Sequence, residues 1–142
     1  MATTYATDVA GLGTTPPTKV SGAVQGGRTR RFRAVFTMAA QAAADDIVLA
    51  LIPAGYTFAF GVITATATMG ASATVAIGVA GNTGKYRTAA VYTAVETPTL
   101  FGKTTAMDDV PLAAAETVLA TIAVASLPGA GVVVIDLFFS AP

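Results

Sequence analysis

Gly78-Val79-Ala80-Gly81-Asn82-Thr83-Gly84-Lys85-Tyr86 has the look of a phosphate-binding loop. Such a loop needs four residues between its first glycine and the Gly-Lys pair, then a Ser or Thr to hold magnesium. Here five residues intervene and Tyr86 follows the lysine, so the stretch reads as a glycine turn between strands. Gly11-Leu12-Gly13 opens like a dinucleotide fingerprint, but Pro16 stands where the third glycine belongs. Two carboxylate pairs, Asp45-Asp46 and Asp108-Asp109, have the residue type for glycosidase acid–base work or for calcium. Neighbours in a strand point to opposite faces, and neither pair has EF-hand spacing, so both read as turn and solubility residues. The chain has no His and no Cys, which removes zinc fingers, haem, thiol nucleophiles and the Ser-His-Asp triad. The reading is therefore no enzyme, no metal, no cofactor and no small-molecule substrate.

The charge feature that stands out is a cluster of four arginines, Arg28, Arg30, Arg31 and Arg33. The first 44 residues carry five basic residues and one acid, while the rest carry the opposite excess, so the chain as a whole is neutral. Neutrality gives no reason to expect nucleic-acid binding. Phe32 alone interleaves the arginines, too little for a base-stacking platform. The cluster reads either as a solvated strand face or as a docking surface for an acidic partner protein, with carboxylates pairing the guanidinium groups. The candidate partner-binding residues are Arg28, Arg30, Arg31 and Arg33 together with Leu12, Pro16 and Pro17 of the segment before them.

The elements that must position these residues are strands. Residues 1–27 are rich in Gly, Pro and Thr, and Pro16-Pro17 favours an extended stretch, so they read as an N-terminal arm in need of something to lie on. Residues 28–142 read as one domain. Phe32, Ala34, Phe36 and Met38 alternate with Arg31, Arg33, Val35 and Thr37, the pattern of a sheet with one wet face. Further strands are expected over residues 47–52, 56–68, 72–79, 86–95, 117–125 and 132–139, with a turn at Gly81–Gly84 and a long polar connection from Thr97 to Pro111. In the run 56–68 Tyr56, Phe58, Phe60 and Val62 are expected to share a face. Ala39–Ala44 and Ala113–Ala115 are short alanine-rich runs able to form helical turns. In the last strand Phe138, Val134 and Asp136 lie opposite the expected core, which implies either a second buried face or a contact with another subunit. The fold class is all-β: a single β-sandwich or jelly-roll-like domain of seven to eight strands with an extended N-terminal arm.

Apolar residues make up 54% of the chain and charged residues 11%, against a usual quarter charged, so the surface is expected to be hidden in an assembly. No membrane span is expected, because Pro53, Gly55, Gly61, Gly70 and Gly78 interrupt the uncharged stretch between Asp46 and Lys85. The first residues have neither the basic nor the apolar segment of a secretory signal.

An order of motifs now stands out: the arginine-rich first strand, Ile52-Pro53-Ala54-Gly55-Tyr56, alternating Thr/Ala ending in Met69-Gly70-Ala71-Ser72-Ala73-Thr74-Val75-Ala76-Ile77-Gly78, Gly84-Lys85-Tyr86-Arg87-Thr88-Ala89-Ala90, Thr97-Pro98-Thr99-Leu100-Phe101-Gly102, and a C-terminal aromatic strand. From Arg30 to Phe139 this resembles the small head decoration, or capsid cement, proteins of tailed bacteriophages. The resemblance implies a structural virion protein on the outer surface of the capsid, often a homotrimer, bound to the major capsid protein and bracing the shell against internal DNA pressure. It implies no catalytic residues, no nucleic-acid partner and no membrane. Two other readings stay open. A receptor- or carbohydrate-binding module of a virion fibre or tail would favour Trp and Asn, and the chain has no Trp and a single Asn, Asn82. A hydrolase with a Ser/Thr-Lys pair would rest on Lys19, Lys85 or Lys103, each in turn-like sequence.

Overall fold

The computed structural model describes residues 4, 6–19, 22, 26–108 and 110–141. Eight strands follow in order: β1 (Arg28–Thr37), β2 (Asp46–Ile52), β3 (Thr57–Ala65), β4 (Thr74–Val79), β5 (Asn82–Ala90), β6 (Thr99–Phe101), β7 (Glu116–Ala123) and β8 (Val132–Ala141). They form two four-stranded sheets, β1-β8-β3-β6 and β2-β7-β4-β5, with every pairing between these strands antiparallel. Apart from β4 and β5, successive strands switch sheets, and this order is that of a jelly roll. Among the described residues there is no α-helix; Thr7–Gly13 winds as a 3-10 turn.

Alternation builds the core. Val133, Ile135, Leu137 and Phe139 of β8 are fully buried, as are Val118, Ala120 and Ile122 of β7 facing them from the other sheet. At one end of the sandwich Phe139 stands edge-on to Phe32, Phe58 and Tyr86, with centroids 5.8, 5.3 and 5.9 Å away. Tyr86 has no exposed surface, and its hydroxyl donates to Glu116 Oε2 at 2.7 Å.

The expected β3 face is corrected. Phe58 is buried, but Phe60 is exposed, and Gly61, Ile63 and Ala65 turn inward after it. The cause is a β-bulge: Phe58 pairs with Phe139 and Phe60 with Phe138, so Ala59 is an extra residue that inverts the parity of the strand. The expected turn at Gly81–Gly84 is also displaced. The hairpin closes through Ala80-Gly81, with Val79 opposite Asn82, and Asn82–Gly84 already belong to β5. Neither alanine-rich run is helical. Ala40 and Ala44 sit at φ 54° and 77°, and Asp45 Oδ2 accepts from Ala42 N–H at 2.8 Å, so side-chain and turn bonding replace the helix ladder. The long polar connection contains β6, a three-residue edge strand held by Phe101 over Gly61.

Candidate interaction surface

The four arginines occupy an edge strand that, among the described residues, pairs with β8 alone. Strand parity splits them. Arg31 and Arg33 lie on the outer face, while Arg28 and Arg30 share the parity of Phe32, stand opposite Ala141 and Phe139, and are exposed. The register sets Arg33 opposite Asp136 and Arg31 opposite Phe138. Arg33 then grips Asp136 with two bonds, Nε to Oδ1 at 2.9 Å and an Nη to Oδ2 at 3.0 Å. Arg31 Nε lies 3.9 Å from the same carboxylate. The hydrogen bonds to Asp136, then its charge, hold the Arg33 guanidinium above its ordinary pKa. Among the described residues, neither Arg28 nor Arg30 has a carboxylate within ion-pair distance.

Among the described residues no hydrogen bond joins the proline segment to this strand. Among the described residues, the hydrogen bonds of residues 4–19 stay inside that segment. Thr18 N–H donates to Gly11 O at 2.8 Å, and Thr14 Oγ1 donates to the same oxygen at 2.7 Å. The segment doubles back on itself, with a cis Thr15-Pro16 peptide, and presents Leu12, Pro16 and Pro17 to solvent. Several residues of 1–27, and Asp109 of the second carboxylate pair, lie outside the described residues.

Two features were not anticipated. The first is apolar: Phe60, Leu100, Phe101, Gly102 and Met107 line a shallow trough of about 450 Å³ beside the outer face. Its signal in the sequence was the row of aromatics in β3, hidden by the parity change at the bulge. The second is a clamp. The lysine of the loop-like glycine motif, Lys85, pairs with Glu116 Oε1 at 2.5 Å, while Tyr86 takes Oε2. Both carboxylate oxygens are occupied by intrachain donors, so the group ties β5 to β7 across β4. Burial, and then Glu116, raise the Tyr86 pKa well above its ordinary value. A hydroxyl with a raised folded pKa stabilises fully below the unfolded value, about 10, and loses that contribution as pH rises beyond it. Stability is therefore expected to fall by about 1.4 kcal/mol per pH unit above about pH 10. Urea titrations across that range check this, and Tyr86→Phe should flatten the slope.

No family model matches the sequence, and no curated protein does. Solved structures do match. A chain in the capsid of Ralstonia phage GP4 superposes with a TM-score of 0.66 at 17% identity, over 82% of this chain and 86% of that one. A chain in the capsid asymmetric unit of cyanophage Pam1 gives 0.59 at 16%, over 82% and 86%. A chain in the acidic stable capsid structure of Helicobacter pylori bacteriophage KHP30 gives 0.60 at 15%, over 80% and 88%. The fold is one that occurs in phage capsids. The coverages are matched on both sides, so the matched chains are about as long as this one.

Proposed function

We propose that this chain is a structural protein of a phage virion, which binds the major capsid protein on the outside of the shell and stabilises it as a homotrimer. The observation that carries the proposal is the shared fold across four-fifths of the chain with chains of similar length in three capsid structures. A shell chain of this size supports an accessory role. The absence of His and Cys, and a Glu116 whose two oxygens each accept from a donor of the same chain, favour binding over catalysis. In this reading residues 1–27 are an arm and 28–142 the sandwich, and Arg28 and Arg30, exposed at the sheet end, meet carboxylates of the shell. Three linked copies turn weak contacts into firm retention.

Cosedimentation with shells of the phage that encodes the chain tests this. The full chain is expected to pellet with the shells. Charge reversal at Arg28 and Arg30 together should weaken retention about tenfold and reduce its salt dependence, with the melting temperature unchanged. Deletion of 1–27 separates an arm anchor from a sandwich anchor. A full chain that stays in the supernatant with matched shells removes the proposal.

A further inference from the structure

An open sheet edge is a row of backbone donors and acceptors on which another chain can build. Among the described residues the two sheets end on four strands, β1, β6, β2 and β5. Three of these carry features that blunt an edge. β6 has three residues, β2 is broken by a register shift between Val48 and Ala50, and β5 meets β4 through two such shifts. β1 differs: its ten residues run against β8 with no break in register.

The ladder decides which groups face outward. Met38 N–H donates to Gly131 O at 2.7 Å, one step beyond the pair of Thr37 with Val132. Val132 O turns the other way and accepts from Thr66 N–H at 2.9 Å. Bonded and unbonded pairs alternate in an antiparallel ladder. The even-numbered residues of β1 therefore bond to β8, and the odd-numbered ones, from Thr29 to Thr37, point N–H and C=O to the open side. Gln41 Nε2 donates to Thr37 O at 2.9 Å and closes one end of that row. Among the described residues, no hydrogen bond reaches the outward backbone groups of Thr29, Arg31, Arg33 or Val35. The core is also unfinished along this side. Phe32, Ala34 and Phe36 pack against it but are only partly buried.

We propose that the open edge of β1 takes an extended segment of another protein as an added antiparallel strand, with apolar residues opposite Phe32, Ala34 and Phe36 and acids opposite Arg28 and Arg30. These five positions are the unbonded pairs of the new ladder, where facing side chains come closest. Apolar residues there would cover the partly buried row, and two carboxylates would meet the two guanidinium groups that lack one within the chain. Arginine on an edge discourages neutral strands and admits acidic ones. A second copy does not supply the segment, because no two of its eight acids stand two positions apart. The occupant is therefore a segment of a different protein. That this protein is the shell subunit rests on the function proposed above.

Amide hydrogen exchange on the full chain, read residue by residue by NMR, tests the assignment with the synthetic peptide Val-Thr-Val-Thr-Val-Thr-Glu-Thr-Glu. In the free chain the N–H groups of Thr29, Arg31, Arg33 and Val35 are expected to exchange at least about a hundredfold faster than those of Arg30, Phe32 and Ala34. Saturating peptide should slow the first set at least about tenfold. Methylating the threonine nitrogens of the peptide, which face β1, should abolish the effect; methylating the valine nitrogens, which face away, should not. Arg28→Glu/Arg30→Glu should lose this peptide and accept one with lysine in place of each glutamate. Outward amides already protected in the free chain overturn the proposal, because the edge is then covered from within. A peptide that leaves them unprotected overturns it as well. Shell retention without peptide protection would sink the added strand and keep the capsid reading; peptide protection without shell retention would do the reverse.

Discussion

Phe139→Ala is expected to cost about 4 kcal/mol, in the middle of the range for an aromatic truncation in a core. Phe139 is fully buried and meets Phe32 on β1, Phe58 on β3 and Tyr86 on β5, so one ring joins both sheets. Its removal leaves a void that no single neighbour can fill, because each is fixed by its own strand. For a chain of this length the loss lowers the melting temperature by about 10 °C or more. Urea denaturation should show a lower midpoint at unchanged slope. An unaltered midpoint would mean that the two sheets do not pack through this ring.

Gly78→Ala is the second large effect, expected at about 3 kcal/mol. An added Cβ would fall well inside van der Waals contact of the carbonyl oxygens of Asn82 and Thr83. These are backbone atoms of the returning strand, and they cannot rotate away. The tight turn at Ala80-Gly81 and the register shifts between β4 and β5 bring that strand over Gly78. Gly61→Ala makes a useful contrast. There the added carbon meets the Phe101 ring, which can swing aside on the short edge strand β6, so about 1 kcal/mol is expected. Gly129→Ala, with nothing nearby, should melt with the parent. If Gly78→Ala also melts with the parent, the hairpin geometry is wrong.

The strands were legible where one periodicity ran unbroken. In β8 Val133, Ile135, Leu137 and Phe139, and in β7 Val118, Ala120 and Ile122, followed from alternation alone; Val124, expected on the same face, lies past the end of β7 with φ 72° and is exposed. In β3 the same rule failed after Phe58, because a bulge is decided by pairing with β8 and leaves no mark on a single strand. β6 was missed for a related reason: three residues carry no period, and Phe101 is held by Gly61 forty residues away in sequence. The alanine-rich runs misled because propensity is weak over six residues, and Gln41 and Asp45 bond the local backbone instead. The arginines could be seen as a cluster. That two of them would share Asp136 could not, since the partner lies 103 residues from Arg33 and only the register brings them together. The apolar trough was hidden by the same parity change.

The pairing of β1 with β8 also sets an order of events in synthesis. Among the described residues β1 has one partner strand, and its last residue, Thr37, pairs with Val132. On the ribosome that partner arrives on the order of ten seconds later. Through that interval Phe32, Ala34 and Phe36 sit on a strand with both edges open, the kind of segment that joins itself to other chains. Four like charges among six positions keep one such strand from another by repulsion. A chain cut short before Val132 never receives the partner, and the arginines are then the main defence it has against aggregation.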